Sequence, residues 1–362
     1  MESGAFFYDT GLPAPGQNEE DMVIVMSPDA TSEDIAHVAT LVESVGNTPV
    51  VSRGVSRTII GVIGDDDRTE TLNLRAVQGV LDVVRITAPY KLVSRENHAR
   101  TSTVWVSGVP IGPDTFTLIA GPCAVETPEQ TLAAAQLARS AGAAILRGGA
   151  FKPRTSPYSF QGLGVDGLKI LREVGDEVGM PVVTEVVDRA DVDAVATHAD
   201  MLQIGTRNAQ NFELLKAVGD AGKPVLLKRG LAGTYDEWLL AAEYIAQRGN
   251  LDIVLCERGI RTFESQTRNT LDLSAVPMMN ELSHLPVVVD PSHAAGRREL
   301  VVPLARAAIA VGADAVMVDV HAEPETALVD GAQALSGEVI DELADAVRTL
   351  PGMMGRRSAR RG

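Results

Sequence analysis

Eight short apolar runs recur between Phe116 and Val318, and most are separated by stretches with helical spacing. The runs are 116–119, 144–146, 182–183, 201–204, 225–227, 253–255, 287–289 and 315–318. Brief apolar runs bounded by polar turn residues read as buried strands. The stretches 129–141, 167–178, 190–197, 212–221, 236–247 and 303–311 place apolar residues three and four apart, as amphipathic helices do. Strand and helix alternating eight times predict a closed (β/α)8 TIM barrel rather than an open doubly wound sheet. No GxGxxG follows the first run, which also disfavours a dinucleotide fold. In such a barrel the chemistry sits where the strands end.

Every run ends in groups that bind or titrate. The first ends in Gly121-Pro122-Cys123, with Glu126 beyond, and the third in Thr184-Glu185. The fourth gives Gly205-Thr206-Arg207-Asn208, the fifth Lys228-Arg229-Gly230 and the sixth Cys256-Glu257-Arg258-Gly259. The seventh gives Asp290-Pro291-Ser292-His293 and the eighth Asp319-Val320-His321, followed by Asp330. The second is the most charged: Leu146-Arg147-Gly148-Gly149-Ala150-Phe151-Lys152-Pro153-Arg154-Thr155-Ser156. Glycine lets backbone approach a ligand closely, and the arginine fork matches phosphate or carboxylate. A solvated basic loop is the bland alternative.

These groups fall into two sets. Arg147, Lys152, Arg154, Arg207, Lys228 and Arg258 suit a substrate with several negative charges, or serve as ion-pair partners. Cys123, His293, Asp319 and Asp330 follow the first, seventh and eighth runs, which are neighbours once a barrel closes. A thiolate, an imidazole and two carboxylates suit a borderline transition metal better than calcium. Cys256 lies away from that corner and is expected in the core. Glu126 either begins a helix or pins the cations. His321 and Glu323 are expected to support the ligands, and Arg297 and Arg298 lie near a helix start that could receive an anion.

Ahead of the barrel the order strand 22–26, helix from Thr31 or Ser32, strands 49–52 and 58–63, a short helix near 71–76 and strand 80–86 is the βαββαβ ferredoxin-like pattern. The expected divisions are an unstructured extension 1–21, a ferredoxin-like domain 22–90, a linker with a hairpin at 91–114, a barrel 115–351 and a disordered basic tail 352–362. The hairpin, 103–106 and 109–112 around Ser107-Gly108, could plug one end of the barrel. A net charge of −16 over 362 residues argues against nucleic acid as a partner. Two cysteines make no disulfide framework, and no apolar run is long enough for a membrane span, so a cytoplasmic location is expected.

With Ile204-Gly205-Thr206-Arg207-Asn208 and Val289-Asp290-Pro291-Ser292-His293 added, these motifs resemble 3-deoxy-D-arabino-heptulosonate 7-phosphate (DAHP) synthase, in its short form with an N-terminal ferredoxin-like regulatory domain. The resemblance spans about Met22 to Leu350. It implies metal-dependent condensation of phosphoenolpyruvate with erythrose 4-phosphate, the first step of the shikimate pathway. It also implies that Arg147, Lys152, Arg207, Lys228 and Arg258 bind phosphoenolpyruvate, that Pro153, Arg154 and Thr155 receive erythrose 4-phosphate, and that Cys123, His293, Asp319 and Asp330 ligate one divalent ion (Mn, Fe, Co or Zn). The implied catalytic residues are Lys152, His293, Cys123 and Glu185, the last positioning a water. Asp319 departs from the family, which usually has Glu there. The related octulosonate 8-phosphate synthase typically has Ala-Asn where this chain has Pro153-Arg154. A barrel acting mainly as activator of a chorismate mutase is the remaining alternative. The resemblance further implies inhibition by tyrosine or phenylalanine through the N-terminal domain, and a homodimer or homotetramer.

Overall fold

The structure, a computed structural model, describes residues 21–53, 58–64, 68–69, 71–86 and 89–359. It divides into two compact units, Met1–Ala88 and Pro89–Gly362. The expected extension, apart from Asp21, lies outside the described residues.

The first unit contains β1 (Asp21–Met26), α1 (Ser32–Ser44), β2 (Thr48–Arg53), β3 (Thr58–Ile63) and β4 (Val80–Ile86), in an antiparallel sheet of order β2-β3-β1-β4. Thr31 caps α1: its hydroxyl accepts from the Asp34 backbone N–H, and Asp34 accepts from the Thr31 N–H. This reciprocal box satisfies two otherwise unpaired donors. Ile35, Val38 and Val42 then pack on Met22, Ile24, Met26, Ile60 and Val62. The helix expected near 71–76 contracts to a 3-10 turn, Leu74–Ala76. Asn73 before it is left-handed (φ 45), and Leu74 is its one buried residue, so there is no apolar stripe for a helix to bury.

In the second unit β5 (Val104–Val106) and β6 (Val109–Ile111) form the hairpin. Ser107 (φ 44) and Gly108 (φ 88) are both left-handed, as a tight two-residue hairpin turn requires. Val104, Val106, Val109 and Ile111 cluster with barrel residues such as Ile145, Met201, Val254 and Ala315, so the hairpin does plug the barrel. The barrel strands are β7 (Thr115–Gly121), β8 (Ile145–Arg147), β9 (Val182–Val186), β10 (Met201–Ile204), β11 (Val225–Lys228), β12 (Ile253–Glu257), β13 (Val287–Val289) and β14 (Ala315–Asp319). They run parallel in sequence order, and β14 closes on β7 from Ala315↔Thr117 to Asp319↔Gly121. Cys256 is fully buried in this core, as expected.

The helices are α2 (Pro128–Ser140), α3 (Val165–Val178), α4 (Val192–His198), α5 (Phe212–Asp220), α6 (Tyr235–Ala246), α7 (Ala275–Leu282), α8 (Pro291–Ala295), α9 (Arg298–Val311) and α10 (Gly337–Met353). Among the described residues no helix is long and apolar enough to cross a membrane.

The C-terminal stretch, residues 352–359, differs from the expected disordered tail, and 360–362 lie outside the described residues. Arg357–Ser358 form β15, pairing with Thr115 and Phe116 of β7. Arg356 donates to the carbonyls of Gly312 and Ala313 and lies 3.2 Å from Asp314. Ala359 joins the cluster around the hairpin. Its arginines suggested solvent, but Arg356 finds a buried acid and free carbonyls at the end of α9.

Candidate active site and metal centre

Gly121 ends β7 against β8 so closely that an added Cβ would lie 2.1 Å from the Arg147 carbonyl oxygen. This contact sets the Cys123 loop beside the basic stretch. On the other flank, Asp290 caps α8 by accepting from the His293 backbone N–H at 3.0 Å. The same carboxylate stands 2.8 Å from His293 Nδ1, leaving Nε2 to face the strand ends. Asp319 ends β14 with no exposure, and its backbone N–H donates to Ser292 Oγ. Asp330 follows in a loop, held left-handed at φ 55.

The closed barrel brings these four residues together. His293 Nε2 is 3.7 Å from Asp319 Oδ2, 3.9 Å from Asp330 Oδ2 and 3.9 Å from Cys123 Sγ. Cys123 Sγ is 3.4 Å from Asp330 Oδ2, and all four donor atoms lie within 4.8 Å of one another. Donors about 2.0–2.3 Å from a tetrahedral ion stand roughly 3.3–3.8 Å apart, so the set fits one shared divalent ion. The shorter Asp319 side chain still reaches the cluster.

The carboxylates of the cluster face cations and the His293 imidazole. Burial opposes the charge on His293, but Asp290 and Asp319 outweigh it and push its pKa up to about 9. Burial would raise Asp330, yet His293, Arg268 and Lys152 bring it down to about 2. A metal ion competes with the His293 proton for Nε2.

Beside the cluster a cavity of about 340 Å³ is lined by Arg147, Lys152, Arg154, Arg207, Lys228 and Arg258. Arg147, Lys228 and Arg258 form its buried floor, at 4%, 4% and 7% exposure. Burial disfavours the charges on Arg147 and Lys228, but Asp319 and Asp290 respectively more than restore them. Arg147 Nη1 is 2.7 Å from Asp319 Oδ1, and Lys228 Nζ pairs with Asp290. Arg258 donates to the His293 carbonyl at 3.1 Å, and burial lowers its pKa. Arg147 Nε and Arg154 Nη1 are buried without an acceptor among the described residues. Buried donors in that state are costly, and an anion in the cavity would satisfy them. Lys152 Nζ lies 3.0 Å from the Cys123 carbonyl and 3.3 Å from Cys123 Sγ, linking cluster to cavity. Pro153 lines the mouth, where Arg207 donates to Thr155 Oγ1 at 3.3 Å. Glu185 lines the wall and accepts from Gln203 Nε2 at 3.2 Å.

Several expectations change. Thr127, not Glu126, caps α2. Glu126 holds no cation of the cavity: it accepts from the Leu328 N–H and sits 3.8 Å from His321. His321 is buried, but its ring accepts from the Glu323 backbone N–H and faces Glu126 rather than any of the four ligand candidates, and the Glu323 side chain is exposed. Arg297 pairs with Glu299, and Arg298 donates to the Gly331 carbonyl and faces Glu325 at 3.6 Å, its Nε buried without an acceptor among the described residues. Sequence reasoning missed Arg261 and Arg268, which also line the cavity; Arg268 is 3.0 Å from Asp330 Oδ1. They sit in the loop after β12 rather than at its end, so the strand-end rule passes over them. Gln333, whose amide nitrogen donates to Asp319 Oδ2, carried no signal.

The sequence matches the DAHP synthetase I family over residues 92–353 and the DAHP synthase ferredoxin-like domain over 22–88. It is 53% identical to a phospho-2-dehydro-3-deoxyheptonate aldolase of Thermotoga maritima, covering 92% of this chain and 99% of the relative. A crystal structure of the Thermotoga maritima DAHP synthase superposes with a TM-score of 0.74 at 51% identity, covering 94% of this chain and 99% of that one. A 2-dehydro-3-deoxyphosphooctonate aldolase of Syntrophobacter fumaroxidans is 34% identical, over 66% of this chain and 88% of the relative.

Proposed function

The chain belongs to the DAHP synthetase I family, with that family's ferredoxin-like domain ahead of the barrel, and on that premise we propose that it condenses phosphoenolpyruvate with erythrose 4-phosphate to DAHP and phosphate. The observation that carries the reading is the four-donor cluster opening on a cavity rich in cations.

In this reading Arg147, Lys152, Arg207, Lys228 and Arg258 hold the carboxylate and phosphate of phosphoenolpyruvate, whose charges the buried floor neutralises. Pro153, Arg154 and Thr155 receive the phosphate end of erythrose 4-phosphate at the mouth. Cys123, His293, Asp319 and Asp330 hold one divalent ion, Mn, Fe, Co or Zn. The chemistry such an ion supplies when bound is Lewis-acid polarisation of the aldehyde. The cations align C3 of phosphoenolpyruvate with the aldehyde carbon. As the C–C bond forms, positive charge develops at C2; water adds there, and phosphate departs by C–O cleavage. Glu185, oriented by Gln203, holds that water and takes its proton. Lys152 stands between the donor cluster and the cavity and stabilises the alkoxide that develops on the aldehyde oxygen, which becomes the new hydroxyl by taking a proton from solvent.

The rest of the proposal follows the family. The N-terminal unit binds tyrosine or phenylalanine as an inhibitor, the protein works in the cytoplasm as a homodimer or homotetramer, and a chorismate mutase is a possible partner.

The test is a metal-reconstituted assay of phosphate release, with erythrose 4-phosphate and arabinose 5-phosphate offered in parallel. Turnover with the four-carbon sugar is the expected result. Preference for the five-carbon sugar would move the chain to octulosonate 8-phosphate synthesis. No phosphate release with either would leave the barrel as a partner-activating scaffold.

A further inference from the structure

Asp319 is contacted at both oxygens, by an ion pair at Oδ1 and a hydrogen bond at Oδ2. Arg147 Nη1 lies 2.7 Å from Oδ1, and the Gln333 side-chain amide donates to Oδ2, the oxygen that faces His293 Nε2. A one-methylene carboxylate on a buried strand end has few rotamers, and the Gln333 bond selects among them. Gln333 has no exposure, and its Oε1 has no partner among the described residues. A buried amide that leaves its oxygen bare is committed through its nitrogen.

Gln333 arrives by a route that also sets Asp330. Asp330 is left-handed, and the next three residues, Gly331–Gln333, form a 3-10 turn. The Gln333 backbone N–H donates to the Asp330 carbonyl at 3.2 Å. At Gly331 an added Cβ would lie 2.1 Å from the Pro324 carbonyl, so the turn seats too closely for any side chain. Past the turn, the Leu335 N–H donates to the Asp319 carbonyl at 2.8 Å, fastening the loop to β14. One turn therefore supplies a ligand candidate and the clamp on another.

We infer that Gln333 is the positioning residue of the donor cluster, its amide N–H fixing Asp319 Oδ2 toward Cys123, His293 and Asp330. The inference rests on the metal-site reading above. Groups that orient a ligand typically change metal affinity by about 10–100-fold when removed. Gln333→Met keeps length and volume but removes the donor, and Gln333→Asn keeps the amide but shortens its reach.

The experiment titrates Co(II) into metal-free full-length parent and both variants by chelator competition. The thiolate-to-metal absorption band and the melting temperature of each metal-free protein are recorded alongside. The expected result is an affinity loss of about 10-fold or more in both variants, a shifted band and unchanged metal-free melting. Unchanged affinity in either variant overturns the inference. So does a loss matched by lower metal-free melting in both, which would make Gln333 a packing residue. If the parent itself binds no Co(II), the metal-site reading fails, an outcome distinct from parent and variants binding alike.

Discussion

At position 205 an added Cβ would lie 1.9 Å from Glu185 Oε1. The obstacle is the end of a side chain rather than backbone, and Gly205 itself is extended (φ −72), so Gly205→Ala should fold. Its effect should be to push the Glu185 carboxylate off its station beside Gln203. If Glu185 handles the water, kcat falls by about 10²–10⁴-fold while Co(II) affinity stays within error. Steady-state kinetics with a parallel metal titration check this, and unchanged kcat would remove Glu185 from the mechanism. The residue scale also shows where sequence reading ends. Cys123, His293, Asp319 and Asp330 announce themselves by chemical type, whereas Gln333 and Arg268 look like ordinary loop residues until the fold sets them against Asp319 and Asp330.

Two peripheral elements fasten the barrel unit, each through a buried titratable group. The segment after Pro89 is strapped to α6 and to the residues before β13: Glu243 accepts from the N–H groups of Leu92 and Val93, and His284 bonds Ser102 Oγ and the Leu92 carbonyl. Burial, then the nearby His98 and Arg95 charges, hold His284 down at about 3; its bond to Leu92 opposes this. The folded protein therefore refuses a proton that the unfolded chain accepts, and stability is lost as pH falls from 6.5 toward 3. At about 1.4 kcal/mol per pH unit, the urea-stability gap between the parent and His284→Gln should shrink below pH 6.5. A gap independent of pH would show that His284 does not titrate in this way. At the other end, Arg356 faces Asp314, which burial pushes up to about 6 against the pull of Arg356. Arg356→Ala strands that carboxylate and should cost about 3–5 kcal/mol in urea unfolding. The cost should be larger at pH 8 than at pH 5, because only the ionised acid is left uncompensated. The ferredoxin-like unit shows the opposite case: a short helical pattern near 71–76, with Leu74 as the one buried residue of its turn, does not hold a helix.

On the scale of the whole molecule, the chain divides into two compact units, Met1–Ala88 and Pro89–Gly362. If the first unit carries the effector site proposed above, a form of this chain lacking residues 1–88 should keep its turnover and show no inhibition by tyrosine or phenylalanine. Rates with and without each amino acid decide the point, and inhibition that survives the deletion would place the effector site in the barrel. The eightfold alternation of strand and helix was legible along the chain, because side-chain period and turn residues are local properties. So was the kind of chemistry at the strand ends, since a barrel gathers them on one rim. Closure decided the rest. It brings Cys123 and Asp330, 207 positions apart, to 3.4 Å, gives Asp319 one oxygen for Arg147 and one for the cluster, and pairs Arg357–Ser358 with β7. Those outcomes depend on where loops and ends land against a packed body, which no local pattern encodes.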